Sequence, residues 1–268
     1  MDVNGRNYFR RVFYILSVMI LAVMLAVSAS ASGSDTDGQS STAQEESAAY
    51  TGWKTVDGKK YYYREGVKVT GWQKISGKYY YFSASGKLQV NKIAGTKKSG
   101  YYYVDANGVR VTSAAMKRAV AFVLANSDAS QTRRQRLRSC YEAMCKYPYK
   151  TYTSVTPDAS VLGSYASTVF KYKRGDCHRF AVALVYVAKA LGYESRLAES
   201  VATGRHALCE VKIGSSWRIL AVVIQKMLPN RDLFLVSQKN YPYAFSHDIL
   251  YTIKAKNGKI TWDVKNLG

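Results

Sequence analysis

The chain offers four cysteines and three histidines for thiol or imidazole chemistry, and one pair of them has a suggestive setting. Gly175-Asp176-Cys177 precedes Phe180, Ala181, Leu184, Val185, Ala188 and Leu191, apolar residues at helical spacing, and Gly192 stands where a C-terminal cap belongs. Cys177 therefore falls in the first turn of a helix, where the macrodipole favours thiolate over thiol. His206, on a segment patterned as a strand, could take the thiol proton and complete an activated nucleophile. Asp176 has the type and position of a helix cap.

The other candidates read more plainly. Cys209 lies three residues from His206, so on a strand it faces the opposite way and belongs to a core. Cys140 and Cys145, five apart on a helix, cannot reach each other for a disulfide. All three read as small buried hydrophobes. The cysteine spacings match no zinc pattern, so no metal and no cofactor are expected. His178 reads as a solvated neighbour of Cys177, and His247 carries no motif. Trp217 and Trp262 read as core or cleft walls.

The elements that must position this pair come in two runs. Helices are expected over 114–126, 133–146 and 165–173, ahead of the Cys177 helix. Strands follow over 195–201, 207–213 and 217–223, with Gly214-Ser215-Ser216 as a tight turn, then over 249–255 and 260–264 around Asn257-Gly258. Helices first and antiparallel strands second give an α+β domain over 113–268.

The preceding sequence differs in character. Arg6, Arg10 and Arg11 lead into the apolar run 12–27 and then Ala29-Ser30-Ala31, which reads as a signal peptide over 1–31 with a cleavage site; retention as a membrane anchor is the alternative. Residues 32–49 are Ser-, Thr- and acid-rich, with no aromatic residue, Ile, Leu or Val, and read as a disordered linker. The formal charge is +21. Residues 50–113 carry twelve Lys/Arg against three Asp/Glu, and 114–268 carry twenty-four against ten. Export argues against nucleic acid and for an anionic wall polymer or membrane face. Arg133, Arg134, Arg136 and Arg138 read as a solvated helix face.

Residues 50–112 repeat about every twenty positions. Thr51-Gly52-Trp53 returns as Thr70-Gly71-Trp72, and tyrosine runs at 61–63, 79–82 (ending in Phe82) and 101–103 mark three units closed by Gly66, Gly86 and Gly108. Each unit reads as a short hairpin whose aromatic face is buried only by stacking on its neighbours, an all-β solenoid. The units resemble the choline-binding or cell-wall-binding repeats of Gram-positive surface proteins. That resemblance implies aromatic cages for choline groups of teichoic acid, or glucan binding in related repeats, because ring faces attract a quaternary ammonium. Lys92-Ile93 replaces Gly-Trp in the third unit, leaving one complete junction, expected from Trp53, Tyr62, Trp72 and Tyr81. A rigid spacer is the alternative role.

From about 114 to 223 the chain resembles the transglutaminase-like superfamily, a branch of the papain-like cysteine folds. The resemblance rests on Gly175-Asp176-Cys177, Phe180-Ala181, Ala190-Leu191-Gly192-Tyr193, His206-Ala207, Glu210 and Trp217. It implies a papain-like core with Cys177 as nucleophile and His206 as general base. The family's third member, an Asp four residues after the strand tryptophan, is Ala221 here. Glu210, Gln225, Asp232 and Asp248 are the side chains that could substitute. Two functions stay open. One is a secreted, wall-associated thiol enzyme acting on protein or peptide amides by hydrolysis or acyl transfer. The other is a scaffold protein of the wall that has lost turnover.

Overall fold

The computed structural model describes residues 50–152 and 156–268, so the expected signal peptide and linker lie outside the described residues. Three hairpins open the described chain. They are β1 (Gly52–Val56) with β2 (Lys59–Arg64) and a short return strand β3 (Val67–Lys68), then β4 (Gly71–Ile75) with β5 (Lys78–Phe82), then β6 (Lys92–Thr96) with β7 (Gly100–Val104). Successive hairpins are stitched by backbone: Leu88 donates to the Lys60 carbonyl at 2.8 Å, and Arg110 to that of Tyr79 at 2.9 Å. In the third hairpin Ile93 faces Tyr103, in the register where Trp53 faces Tyr62 and Trp72 faces Tyr81. Ile93 there packs on the main core, which includes fully buried Tyr103 and Val111.

Four helices follow: α1 (Ala114–Asn126), α2 (Arg133–Cys145), α3 (Leu162–Tyr172) and α4 (Cys177–Ala190). Polar caps fix three of their starts. Ser113 accepts from the Met116 amide, Thr132 and Gln135 close a capping box, and Asp176 accepts from the Arg179 amide at 2.9 Å. Helix α3 begins three residues before its expected start, because a 3₁₀ turn over Ala159–Val161 runs straight into it without a side-chain cap.

Helix α4 is buried along nearly its whole length, which its almost uninterrupted apolar sequence requires. It lies on one face of a six-stranded antiparallel sheet made of β8 (Ser195–Ser200), β9 (His206–Ile213), β10 (Ser216–Leu220), β11 (Phe234–Val236), β12 (Ile249–Lys256) and β13 (Lys259–Asn266), in spatial order 11-10-9-8-12-13. Leu197, Cys209 and Val211 face the helix, whereas Ala198, Leu208 and Ile219 pack on the other side against Tyr241 and Phe245. Asn257 and Gly258, with φ of 52° and 79°, turn β12 into β13 as their sequence demands.

Three sequence expectations change. The strand expected to reach Val223 ends at Leu220, where the register slips against β11, and the chain turns through Ala221 into a helix, α5 (Val222–Met227). Strand β11 has three residues, too few for an alternating pattern to register. The arginine run is not merely solvated. Arg133 stacks 4.1 Å from the Tyr193 ring, Arg136 donates to Ser127, and Arg138 grips Asp232 through two bonds of 2.7 and 2.6 Å. These contacts fasten α2 to its surroundings.

Candidate active site

Cys177 is the first residue of α4 and half-buried, and Asp176 caps the helix while its other oxygen takes Arg179 at 2.6 Å. The Cys177 sulfur and His206 line one small pocket together with Phe180, Ala181, Leu208 and Ala221. That pocket holds about 10 Å3, room for roughly one water. The His206 ring meets Phe245 edge to face at 6.4 Å, and its Nε2 is buried without a hydrogen-bond partner among the described residues.

The side chains that could have replaced the missing acid are engaged elsewhere. Glu210 binds Arg196 at 2.6 Å and His247 at 2.9 Å. Gln225 holds the Leu233 amide and Tyr141, Asp232 holds Arg138, and Asp248 holds the Val201 and Ala202 amides. Ala221 itself is 2% exposed and caps α5 without a side-chain bond.

His178 overturns its expected solvated role. It is 2% exposed, with Nδ1 3.5 Å from the Cys177 sulfur and Nε2 3.1 Å from Oε1 of fully buried Glu199. Helical periodicity hides this, because His178 follows Cys177 on the inner face of a helix buried nearly all round. Glu199 escaped sequence reasoning too: a Glu inside Ser195–Ser200 reads as a polar face until its parity with core residue Leu197 is noticed. Tyr241 is a third residue missed, with a buried hydroxyl that has no partner among the described residues.

The electrostatics follow from this arrangement. Burial opposes the Cys177 thiolate most strongly, yet hydrogen bonds to His178 and His206 and their charges prevail, bringing the thiol down to about 6. Burial likewise opposes charge on His178, and bonds to Cys177 and Glu199 outweigh it, raising the imidazole to about 9. The other thiols move the opposite way. Burial pushes Cys140 up to about 12 and Cys145 to about 11, and raises Cys209 well above the ordinary value. Of the four thiols, Cys177 alone is lowered.

In the repeats, the expected four-residue junction divides in two. Trp53 packs on Tyr62 at 5.2 Å and Tyr80 at 5.0 Å, whereas Trp72 packs on Tyr81 at 5.1 Å and Tyr102 at 5.7 Å. The division follows from strand parity: Tyr80 and Tyr81 are adjacent on β5 and face opposite ways, one toward each neighbouring hairpin. Each tryptophan already carries an internal cation. Lys60 lies 4.6 Å over Trp53, and the Arg110 guanidinium sits 5.6 Å from Trp72, 4.0 Å from Tyr79 and 4.7 Å from Tyr102.

The transglutaminase-like superfamily model matches residues 118–221, a choline-binding repeat model matches 69–114, and a model of a cell wall binding repeat matches 51–65. The protein carries a transglutaminase-like domain behind choline-binding repeats. Its fold is accordingly α+β, with a papain-like transglutaminase core and an all-β hairpin array before it. Among solved structures, the choline binding domain of Spr1274 from Streptococcus pneumoniae is 33% identical over 23% of this chain and 84% of that one, with a TM-score of 0.22. Choline binding protein F of the same organism is 37% identical over 24% of this chain and 20% of its own, with a TM-score of 0.20. A structure described as a putative cysteine protease from Cytophaga hutchinsonii is 11% identical over 59% of this chain and 54% of its own, with a TM-score of 0.33. No curated protein matches the chain.

Proposed function

We propose that this protein is an exported thiol enzyme of the Gram-positive cell wall that breaks or transfers amide bonds. The observation that carries the reading is Cys177, a half-buried thiol at a helix start with His178 Nδ1 3.5 Å from its sulfur, His206 in the same pocket, and a pKa lowered to about 6. The Cys177 thiolate attacks the amide carbonyl carbon. The backbone N–H groups of Cys177 and His178, the first two of α4, supply donors for the oxyanion, whereas that of Arg179 is taken by Asp176. His206, carrying a proton taken from solvent, gives it to the nitrogen as the C–N bond breaks, the amine leaves a thioester on sulfur, and His206 recovers a proton from the water or amine that attacks the thioester. Water then hydrolyses the thioester, giving a peptidase or amidase, or a second amine takes the acyl group.

The repeats direct this chemistry to the wall. The solved relatives are described as choline binding proteins, and one was crystallised with a peptidoglycan analogue. In this chain a hollow of about 420 Å3 joins Trp53 and Tyr80 to Lys59, Lys60 and Lys87, with no acidic residue in its lining. Lys60 already covers the Trp53 face, so the three ammonium groups of this hollow suit the phosphates of a wall polymer such as teichoic acid.

A second reading, a binding protein without turnover, draws on the partnerless His206 Nε2 beside Ala221. Hydrolysis of purified wall peptides by the full chain separates the two. Under the enzyme reading Cys177→Ala lowers the rate by a factor on the order of 10³ or more, and His206→Asn by about 10²–10⁴. Equal rates for wild type and Cys177→Ala would leave only the binding role.

A further inference from the structure

We propose that Glu199, acting through His178, supplies the carboxylate that position 221 lacks, so that the His178–Glu199 pair holds the Cys177 sulfur as thiolate while His206 is left to move the proton. The inference rests on the thiol-enzyme reading above. Its foundation is a line of three groups joined through opposite nitrogens of one ring: sulfur to Nδ1 at 3.5 Å, then Nε2 to Oε1 at 3.1 Å. That is the order thiol, imidazole, carboxylate which an activated cysteine needs.

Both partners are fixed from below the site. His178 is the second residue of α4, and Glu199 sits opposite Ala207 between β8 and β9, on the sheet face that receives the helix. His178 is 2% exposed and Glu199 is fully buried, so neither is offered to substrate, and both are positioning residues. His206 lies at the pocket itself, with no carboxylate on Nε2. A buried ion pair has no advantage over apolar packing for stability alone, so its contact with sulfur is what gives this pair a use.

Proton transfer within the line is balanced. The thiol proton passes from Sγ to Nδ1, the ring keeps its Nε2–H and donates it to Oε1, and Glu199 remains a carboxylate facing an imidazolium. Other groups bear on the same atoms. The Thr156 hydroxyl donates to Oε1 at 3.3 Å, and the Tyr251 hydroxyl also interacts with Glu199. Tyr149, Tyr241 and His206 feel or face the sulfur, and Asp176 adjoins it in the helix cap.

The test is the pH dependence of Cys177 alkylation by iodoacetamide in the full chain, followed by peptide mass spectrometry, for wild type, Glu199→Gln, His178→Gln and His206→Asn. The first two variants are expected to raise the midpoint by about one pH unit or more, a tenfold loss of thiolate below it. His206→Asn shifts it less while lowering turnover by about 10²–10⁴. An unmoved midpoint in folded Glu199→Gln, or a larger shift in His206→Asn, overturns the proposal. Nitrogen NMR of the wild type needs no variant: His178 should be an imidazolium at pH 7.5, and a neutral ring there overturns the proposal even if every variant misfolds. Loss of the enzyme reading would show separately, as unchanged turnover in Cys177→Ala.

Discussion

At the scale of single residues, the site depends on which charges the first turn of α4 can hold. Asp176 satisfies the Arg179 amide and pairs with its guanidinium, so Asp176→Ala removes a cap and a partly buried ion pair together. We expect a loss of about 0.5–2 kcal/mol from the cap alone, read by urea denaturation. A loss near zero would mean that the cap does not hold α4 in place. Glu199→Ala is harsher because it strands a buried imidazolium, and about 3–5 kcal/mol should disappear from stability in the same assay. Cys177 and His206 stand out in the sequence as candidates because Gly-Asp-Cys at a helix start and a strand-entry His each carry a local signature, and both line one pocket. The His178–Glu199 pair could not. Its two residues are 21 apart in the chain, and only the packing of α4 on β8 makes a polar residue in each into a partner of the other.

At the scale of elements, the repeats show how strand parity decides what a ring can bind. Arg110 fills the space among Trp72, Tyr79 and Tyr102 that a free cation would otherwise use. Arg110→Ala should therefore create saturable quenching of tryptophan fluorescence by choline, absent or at least tenfold weaker at this site in the wild type. Trp72→Phe in the same background should remove that signal. If Arg110→Ala binds choline no better than wild type, the guanidinium does not occupy a ligand site. Three hairpins and their period were legible from glycine and tyrosine spacing. The partition of their rings was not, because Trp53 reaches Tyr80 across a hairpin boundary that a single-unit pattern cannot represent. Helix α5 was obscured for a related reason: Val222 and Val223 continue an apolar run, and only the slip against β11 ends the strand.

At the scale of the whole described chain, the array and the transglutaminase-like domain share one core. Tyr103 and Val111 are buried in the main cluster, and fully buried Asp105 accepts from the amides of Asn107, Val109 and Gly258, the last in the β12–β13 turn. Gly192 completes the seam, with φ of 83° and no space for a Cβ against the Asn91 carbonyl. The composition shift near residue 113 marks a change of pattern, not an independent unit of folding. We expect tryptophan fluorescence and far-UV circular dichroism to report one coincident urea transition. Asp105→Ala, which orphans three amides, should lower its free energy by on the order of 3 kcal/mol. Two separate transitions in the wild type would contradict the shared core.

The proposed chemistry of this thiol requires that Cys177 be ionised in the resting protein while its imidazole neighbour is protonated. The most direct measurement is the rate of Cys177 alkylation by a small neutral reagent across pH 4–10. A rise centred near pH 6 with a plateau to about pH 9, where His178 gives up its proton, is the predicted profile. A rise centred near pH 9, the value of an ordinary thiol, would contradict it.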